Sequence, residues 1–151
     1  MQSAMRTFAM DDRSVSGLLY NLILGKSQDT STSIRVNLPP VPKGGGLSEQ
    51  LQAPGLVRLN QSQANVVRKA LQSPLCLVQG PPGTGKTATA ASLVYHMTKQ
   101  HQGQVLVCAP SNIAVEQLAG RIHLTGLKVV RICSKSREGI PRCDDEHIFP
   151  T

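Results

Sequence analysis

The stretch GPPGTGKT at residues 80–87 follows the apolar run LCLV at residues 75–78 and opens a helical pattern. This is the strand, loop and helix context that a phosphate-binding P-loop requires. The glycines let backbone N–H groups turn toward a polyphosphate, and the helix start adds the positive end of its dipole. The motif therefore predicts ATP or GTP binding by Gly80, Pro81, Pro82, Gly83, Thr84, Gly85, Lys86 and Thr87.

Two side chains of the loop carry the predicted chemistry. The Lys86 ammonium would bridge β- and γ-phosphate oxygens and neutralise charge as the bond breaks, so Lys86 is the predicted catalytic residue. The Thr87 hydroxyl is the predicted ligand of Mg²⁺. The same string occurs in helicases and in hexameric remodelling ATPases, so the loop alone does not separate these classes.

Helical and apolar segments alternate around the loop. Helices are predicted over residues 60–72 with Asn60 as cap, from the loop to about residue 100, and after the cap residue Ser111. Buried strands are predicted at residues 75–78, 105–109 and 127–133. The order βαβαβ predicts an α/β fold, a doubly wound parallel sheet with flanking helices. The predicted solvent-facing side of the helix after the loop comprises Thr89, Ser92, His96 and Lys99.

The first 55 residues have a different pattern. A helix with Ser14 as cap is predicted over residues 11–24, and residues 33–38 have strand character. Prolines and glycines then predict a stretch without regular structure. We therefore divide the chain into a short mixed segment (1–38), a Pro/Gly-rich linker (39–55), a P-loop domain (56–138) and a divergent tail (139–151).

The positive charge is concentrated in the P-loop half. The chain has 16 basic and 9 acidic residues, and residues 56–140 alone hold ten basic and two acidic ones. Nucleotide binding alone does not require this excess, so it indicates a nucleic-acid partner. The competing interpretation is a basic surface that maintains solubility.

The first residues contain neither a signal peptide nor a membrane span, which predicts a cytoplasmic or nuclear protein. Cys76, Cys108 and Cys133 fall in apolar runs without metal-binding spacing, so we interpret them as reduced core residues. Cys143 and His147 provide two possible ligands, which is too few for a metal site.

Two segments that flank the loop indicate to which class of P-loop protein the chain belongs. LNQSQ at residues 59–63 and APSNIAVEQL at residues 109–118 resemble the Q motif and motif Ia of superfamily 1 helicases. The likeness extends over residues 1–138, weakest between 26 and 57, and the chain resembles the up-frameshift RNA helicases, the regulators of nonsense transcripts. This resemblance implies a helicase accessory segment at 1–38 and an incomplete RecA-like ATP-binding domain at 56–138. It also implies ATP hydrolysis coupled to movement on single-stranded RNA, with nonsense-mediated decay factors as partners of the intact relative.

The resemblance implies roles for further side chains. Gln63 would hydrogen-bond the adenine edge, whereas the competing interpretation is a capping box with Asn60. A single strand of RNA, or of DNA, would contact Pro110, Ser111 and Asn112, although Ser111 can also be a plain helix cap. Aromatic residues make up only 3% of the chain, so stacking is limited and electrostatic contacts gain weight. The candidates are Lys128, Arg131, Lys135 and Arg137, which can equally form a solvated basic surface.

No predicted strand ends in the carboxylates that hold Mg²⁺ and activate water in P-loop hydrolases. The acidic run at residues 144–146 follows Pro141 and Arg142, so we interpret it as a solvated tail. The family pattern stops near Glu138, and the chain looks like a truncated fragment. We expect the 151-residue chain alone to show no RNA-stimulated ATPase activity. The alternatives are a non-catalytic nucleotide- or RNA-binding module and, with less support, another P-loop ATPase of the AAA+ type.

Overall fold

The computed structural model describes residues 2–11, 13–25, 45–100 and 103–132. Within these ranges it contains six helices: α1 (Gln2–Met10), α2 (Gly17–Ile23), α3 (Leu47–Gln50), α4 (Gln61–Gln72), α5 (Lys86–Gln100) and α6 (Asn112–His123). None of these helices is long and apolar enough to cross a membrane. The predicted strand at residues 33–38 and the tail from residue 139 lie outside the described residues, as do Cys133, Lys135 and Arg137.

The helix predicted over residues 11–24 is present but shorter, as α2 begins at Gly17, and a separate helix α1 precedes it. The Asp11 side chain accepts a hydrogen bond of 2.9 Å from the Arg13 backbone N–H, and this local turn separates α1 from α2. Ser16, not Ser14, caps α2, because its hydroxyl accepts from the Leu19 N–H.

The stretch before α4 belongs to the core, and the prediction that residues 39–55 contain no regular element is wrong at α3. Leu51 and Ala53 are almost fully buried, followed by Leu56 and Leu59. Pro54 and Gly55 form a turn, closed by a hydrogen bond from the Leu56 N–H to the Ala53 carbonyl. The turn allows apolar residues on both sides of it to reach the helices. We call residues 47–59 the strap.

Helices α4, α5 and α6 begin where the sequence predicts. The Asn60 side chain accepts from the Gln63 N–H at the start of α4, and the Ser111 hydroxyl accepts from the Ala114 N–H at the start of α6. Helix α5 packs against both α4 and α6. One cluster joins the strap to α4, and a second joins the strap to α5 and α6; their buried members are Leu51, Leu59, Ala64, Val67 and Leu71, and Ala53, Leu56, Ala91 and Ile122.

The predicted solvent-facing side of α5 is largely buried, which corrects the sequence interpretation. Thr89, Ser92 and His96 are all buried, and only Lys99 is exposed. The Thr89 hydroxyl donates to the Gly85 carbonyl within its own helix, and the His96 ring bonds a carbonyl of the strap. Because α5 is central in the helical layer, Thr89 and His96, which each bond a backbone carbonyl, can face inward.

The three predicted strands form no paired strand within the described residues. Their side chains are not buried on both faces as predicted: Leu77 is 90% exposed, and Cys76 and Cys108 are exposed free thiols. In residues 105–109 and 127–132, partly buried and exposed positions alternate, as is typical of extended backbone. Val107, Leu127 and Val129 pack on the α5–α6 cluster.

Candidate nucleotide-binding site

The glycine-rich loop turns sharply between residue 80 and the start of α5 at Lys86. Gly83 and Gly85 have φ angles of +78° and +76°, in the left-handed region that residues with a side chain avoid. A glycine-rich loop of this kind can turn successive N–H groups toward a bound anion, and this loop lies next to the positive end of α5. The predicted phosphate donors therefore lie on a loop whose shape requires its glycines.

The side chain of Lys86 folds back over the beginning of the loop. Its Nζ donates hydrogen bonds of 2.7 Å to the carbonyl oxygens of both Gly80 and Pro81. The Thr84 hydroxyl donates to the same Pro81 oxygen at 2.8 Å. These contacts hold an exposed ammonium at the loop, where it can meet phosphate oxygens.

Gln63 joins helix α4 to this loop. Its Oε1 accepts from the Asn60 N–H at 2.9 Å, which completes the capping box, so the capping interpretation of Gln63 is confirmed. Its Nε2 donates to the Thr84 carbonyl at 2.9 Å, a contact between residues 21 positions apart. The adenine contact of Gln63 stays a prediction.

Two glycines of the loop lie close to the side chains of Gln63 and Thr84. A Cβ added to Gly85 would lie 2.7 Å from Gln63 Nε2, and one added to Gly80 would lie 2.9 Å from the Thr84 hydroxyl. Real Cβ atoms do not approach other atoms this closely. Glycine at these two positions therefore leaves space for the groups that shape the loop.

A cleft of about 230 Å³ lies between the starts of α5 and α6. The predicted Mg²⁺ ligand Thr87 lines this cleft, and so does Ala109, the residue before Pro110. The complete lining is Lys86, Thr87, Ala90, Ala109, Ala114, Gln117 and Leu118. The Thr87 hydroxyl and the open space beside it suit a hydrated divalent cation, which prefers oxygen ligands and retains several waters.

The predicted nucleic-acid residues are exposed at the start of α6. Pro110, Ser111 and Asn112 are accessible, and Ser111 is the helix cap, so its competing interpretation is confirmed. Their contact with a single strand stays a prediction. Lys128 is also exposed.

Arg131 differs from the other basic candidates. Its guanidinium donates to the Glu116 carboxylate, and its side chain is only 9% exposed. A guanidinium that is paired and largely enclosed is a weaker candidate for phosphate contact than the exposed Lys128. The charge pattern could not reveal this, because the two partners are 15 residues apart.

Two features of the site were missed in the sequence. The Thr84 carbonyl is a backbone group, and no sequence pattern marks it as the partner of Gln63. Gln117 lines the cleft beside Lys86 and Thr87. Gln117 and Leu118 lie three and four positions after Ala114, and this spacing was the available signal, because such residues share one helix face.

A glycine-rich loop that ends in lysine and threonine at a helix start defines a P-loop nucleotide-binding protein. In agreement, residues 58–147 match the AAA domain family, and the chain belongs to this family. Membership implies the P-loop α/β fold class, although the sheet itself is not formed among the described residues.

The chain is also similar to curated proteins along most of its length. It is 54% identical over 140 residues to "Regulator of nonsense transcripts 1 homolog" of Arabidopsis thaliana, 49% identical over 140 residues to "ATP-dependent helicase NAM7" of Saccharomyces cerevisiae, and 47% identical over 146 residues to "ATP-dependent helicase upf1" of Schizosaccharomyces pombe. Each similarity covers 93% of this chain. The chain spans 10%, 13% and 15% of the lengths of these relatives.

Proposed function

We propose that this chain is the ATP-binding part of an ATP-dependent RNA helicase of the nonsense-mediated decay type. The observation that carries the proposal is the loop geometry: Lys86 Nζ donates to the carbonyl oxygens of Gly80 and Pro81 at the beginning of the loop, and Gly83 and Gly85 have positive φ angles. The names of the relatives, which include regulator of nonsense transcripts and ATP-dependent helicase, support the choice of helicase among P-loop proteins.

ATP with Mg²⁺ supplies the phosphoanhydride whose hydrolysis drives such a protein. The residues of this chain bind and orient it. The Lys86 ammonium would bind phosphate oxygens in place of its carbonyl partners and would compensate negative charge there. Backbone N–H groups of the loop would hold the phosphates, and the Thr87 hydroxyl would be available to bind the metal.

The proposal extends to a single strand of RNA at the start of α6. Ser111 and Asn112 lie where helix N–H groups are accessible, and Ala109 connects them to the cleft that Lys86 and Thr87 line. Nucleotide binding in the cleft can therefore affect the position of the strand-binding residues directly. In the intact protein, this contact would couple ATP turnover to movement along RNA, and decay factors would be its partners.

Nucleotide binding is tested by calorimetric titration of the 151-residue chain with Mg-ATP. We expect saturable binding that Lys86→Ala weakens at least about tenfold, because one charge-assisted contact to phosphate is removed. Lys99→Ala removes an exposed lysine of the same helix, away from the loop, and serves as the matched control. Absence of binding, or equal effects of the two variants, would overturn the proposal.

The nucleic-acid part is tested by fluorescence anisotropy with a labelled single-stranded RNA and a DNA of the same sequence. We expect RNA binding that depends on nucleotide, weakens with salt and decreases in Asn112→Asp, which places a negative charge at the α6 start. RNA binding that neither depends on nucleotide nor changes in Asn112→Asp would contradict the helicase proposal. An ATPase assay on a longer form of the protein distinguishes a helicase from a non-catalytic binding module.

A further inference from the structure

We infer that the carboxyl ends of α4, α5 and α6 form a docking surface for an acidic segment of a protein partner. Basic side chains lie in the last turn of each helix: Lys69 in α4, Lys99 in α5, and Arg121 with His123 in α6. All four are exposed, and we call them the basic end. Because the proposed nucleotide site lies at the opposite ends of these helices, the docking surface is separate from it.

The three helices run in the same direction, which brings their last turns together. At their starts, Gln63 of α4 bonds the loop that precedes α5, and one cleft joins the starts of α5 and α6. Near their ends, Leu71 of α4 shares a cluster with Met97 of α5, and Ile122 of α6 shares a cluster with Tyr95 of α5. A helix rises about 1.5 Å per residue, so the 15 residues of α5 separate the basic end from the P-loop by about 20 Å.

The positive charge of the basic end is not neutralised by other described residues. Residues 45–132 contain only two acidic side chains, Glu49 and Glu116, and each is paired with an arginine outside the basic end. The lysines and the arginine of the basic end therefore have no ion-pair partner in the part of the chain that the structure describes. A cation in the last turn interacts favourably with the helix dipole, but its charge still attracts an anionic partner from solution.

Apolar side chains beside the basic end indicate that this partner is a protein. Gly55 of the strap lies against the end of α6, so closely that a Cβ on it would collide with the Leu124 carbonyl. Val57 follows Gly55 by two residues, at most about 7 Å along the chain. Leu124 is 56% exposed and Val57 is 78% exposed. Exposed apolar side chains next to cations are complementary to a segment that contains both acidic and apolar residues.

A nucleic acid fits this surface less well than such a segment does. Single strands stack their bases on aromatic side chains, and Tyr95 is the only aromatic residue in the sequence from 45 to 132. It is half-buried, and Lys99 Nζ lies 5.7 Å from the centre of its ring. Against a phosphate backbone, Leu124 and Val57 would stay in water, whereas leucines of a protein segment can cover them.

The surface is tested by fluorescence anisotropy with a labelled synthetic peptide in which glutamates surround regularly spaced leucines, added to the full chain. We expect saturable binding that weakens with salt and decreases about threefold in Arg121→Gln, the effect of one exposed charge pair. Lys99→Gln combined with Arg121→Gln should weaken binding further. Gln61→Glu changes the net charge by the same amount at the exposed start of α4, so it is the matched control and should bind like the unmodified chain.

A second peptide, with serine in place of leucine, tests the apolar part of the surface. It should bind more weakly than the leucine peptide, and Val57→Ser should weaken binding of the leucine peptide only. We expect thermal unfolding of each variant, followed by circular dichroism, to match that of the unmodified chain, because the substituted side chains are exposed. Saturating Mg-ATP should leave peptide binding unchanged, whereas displacement of the peptide would place it at the nucleotide site and refute a separate surface.

The remaining outcomes identify other occupants or none. No binding of the leucine peptide, or equal losses in Arg121→Gln and Gln61→Glu, would overturn the inference, because no local surface would then be recognised. If Arg121→Gln weakens binding of a single-stranded RNA but not of the peptide, the partner is a nucleic acid and not a protein. The acidic run of this chain is the occupant, and a separate partner is excluded, if peptide binding becomes stronger on combining Asp144→Asn, Asp145→Asn and Glu146→Gln.

Discussion

Nε2 of His96 lies 3.1 Å from the backbone carbonyl oxygen of Leu51, in the interior between α5 and the strap. A carbonyl only accepts, so the ring donates from Nε2. His96 is 4% exposed, and its burial lowers the pKa of the imidazole below 6.5, whereas the bond to Leu51 opposes this shift with a smaller effect. The neutral ring therefore attaches the strap to the central helix.

The lowered pKa of His96 predicts a loss of stability in mild acid. The unfolded chain takes up the proton near pH 6.5, before the folded chain does, so protons favour unfolding as pH falls from 6.5 through the folded pKa. Above pH 6.5 this contribution is fully present and constant. Urea unfolding at pH 7.5 and 5.5 should show a larger decrease for the unmodified chain than for His96→Gln, which cannot titrate. Equal pH dependence of the two proteins would refute this role of His96.

A core position in the strap predicts a large cost of truncation. Leu51 is fully buried against α4, so Leu51→Ala should lower the free energy of unfolding by about 2–5 kcal/mol. Val57 lies in the same strap but is 78% exposed, so Val57→Ala should change the free energy of unfolding by less than about 0.5 kcal/mol. Chemical denaturation of both variants measures the difference. A small effect of Leu51→Ala would show that the strap does not belong to the core.

The correctly predicted parts of the fold depend on local signals. The Asn60 and Ser111 caps and the apolar periodicity placed α4 and α6 correctly, because a cap bond spans only three residues. The strap was missed because prolines and glycines dominate its composition, whereas its structure depends on distant packing. Likewise, the His96 side chain is polar, and only its tertiary contact shows that its partner is the backbone carbonyl of Leu51.

The candidate nucleotide-binding site likewise has features that the sequence predicts and features that depend on distant contacts. The P-loop string specifies its backbone, because Gly83 and Gly85 occur where φ must be positive. The capping box of Gln63 was also readable, as the residue lies three positions after its cap. Its contact with Thr84 was not, since the two residues are 21 positions apart and one partner is a backbone atom. The ion pair of Arg131 with Glu116 was not predictable either, because the two residues are 15 positions apart.

Two ion pairs differ in their exposure to solvent, so we expect their removal to lower the free energy of unfolding by different amounts. The Arg131 side chain is 9% exposed in its pair with Glu116, whereas Arg58 is 61% exposed in its pair with Glu49. Glu116→Ala leaves a partly buried guanidinium without its charged partner, so we expect a loss of about 1–3 kcal/mol in unfolding free energy. Glu49→Ala breaks an exposed pair and should cost less than about 1 kcal/mol. Urea denaturation compares the two variants. Equal costs would contradict a structural role for the Arg131 pair.

Gly83 and Gly85 both have positive φ, but we expect only Gly85→Ala to combine non-additively with a substitution of Gln63 in its effect on phosphate binding. Gly83→Ala and Gly85→Ala each force a side chain into positive φ, at a cost of about 1–3 kcal/mol. Only the Gly85 variant also displaces the Gln63 amide, so it should weaken tripolyphosphate binding more than the Gly83 variant does. In the Gln63→Met background the contact to Thr84 is already absent, and the additional effect of Gly85→Ala on binding should shrink toward that of Gly83→Ala. Calorimetric titration of the four single and double variants measures this coupling. Strict additivity would show that Gly85 accommodates the loop backbone alone and that its spacing from Gln63 has no effect on phosphate binding.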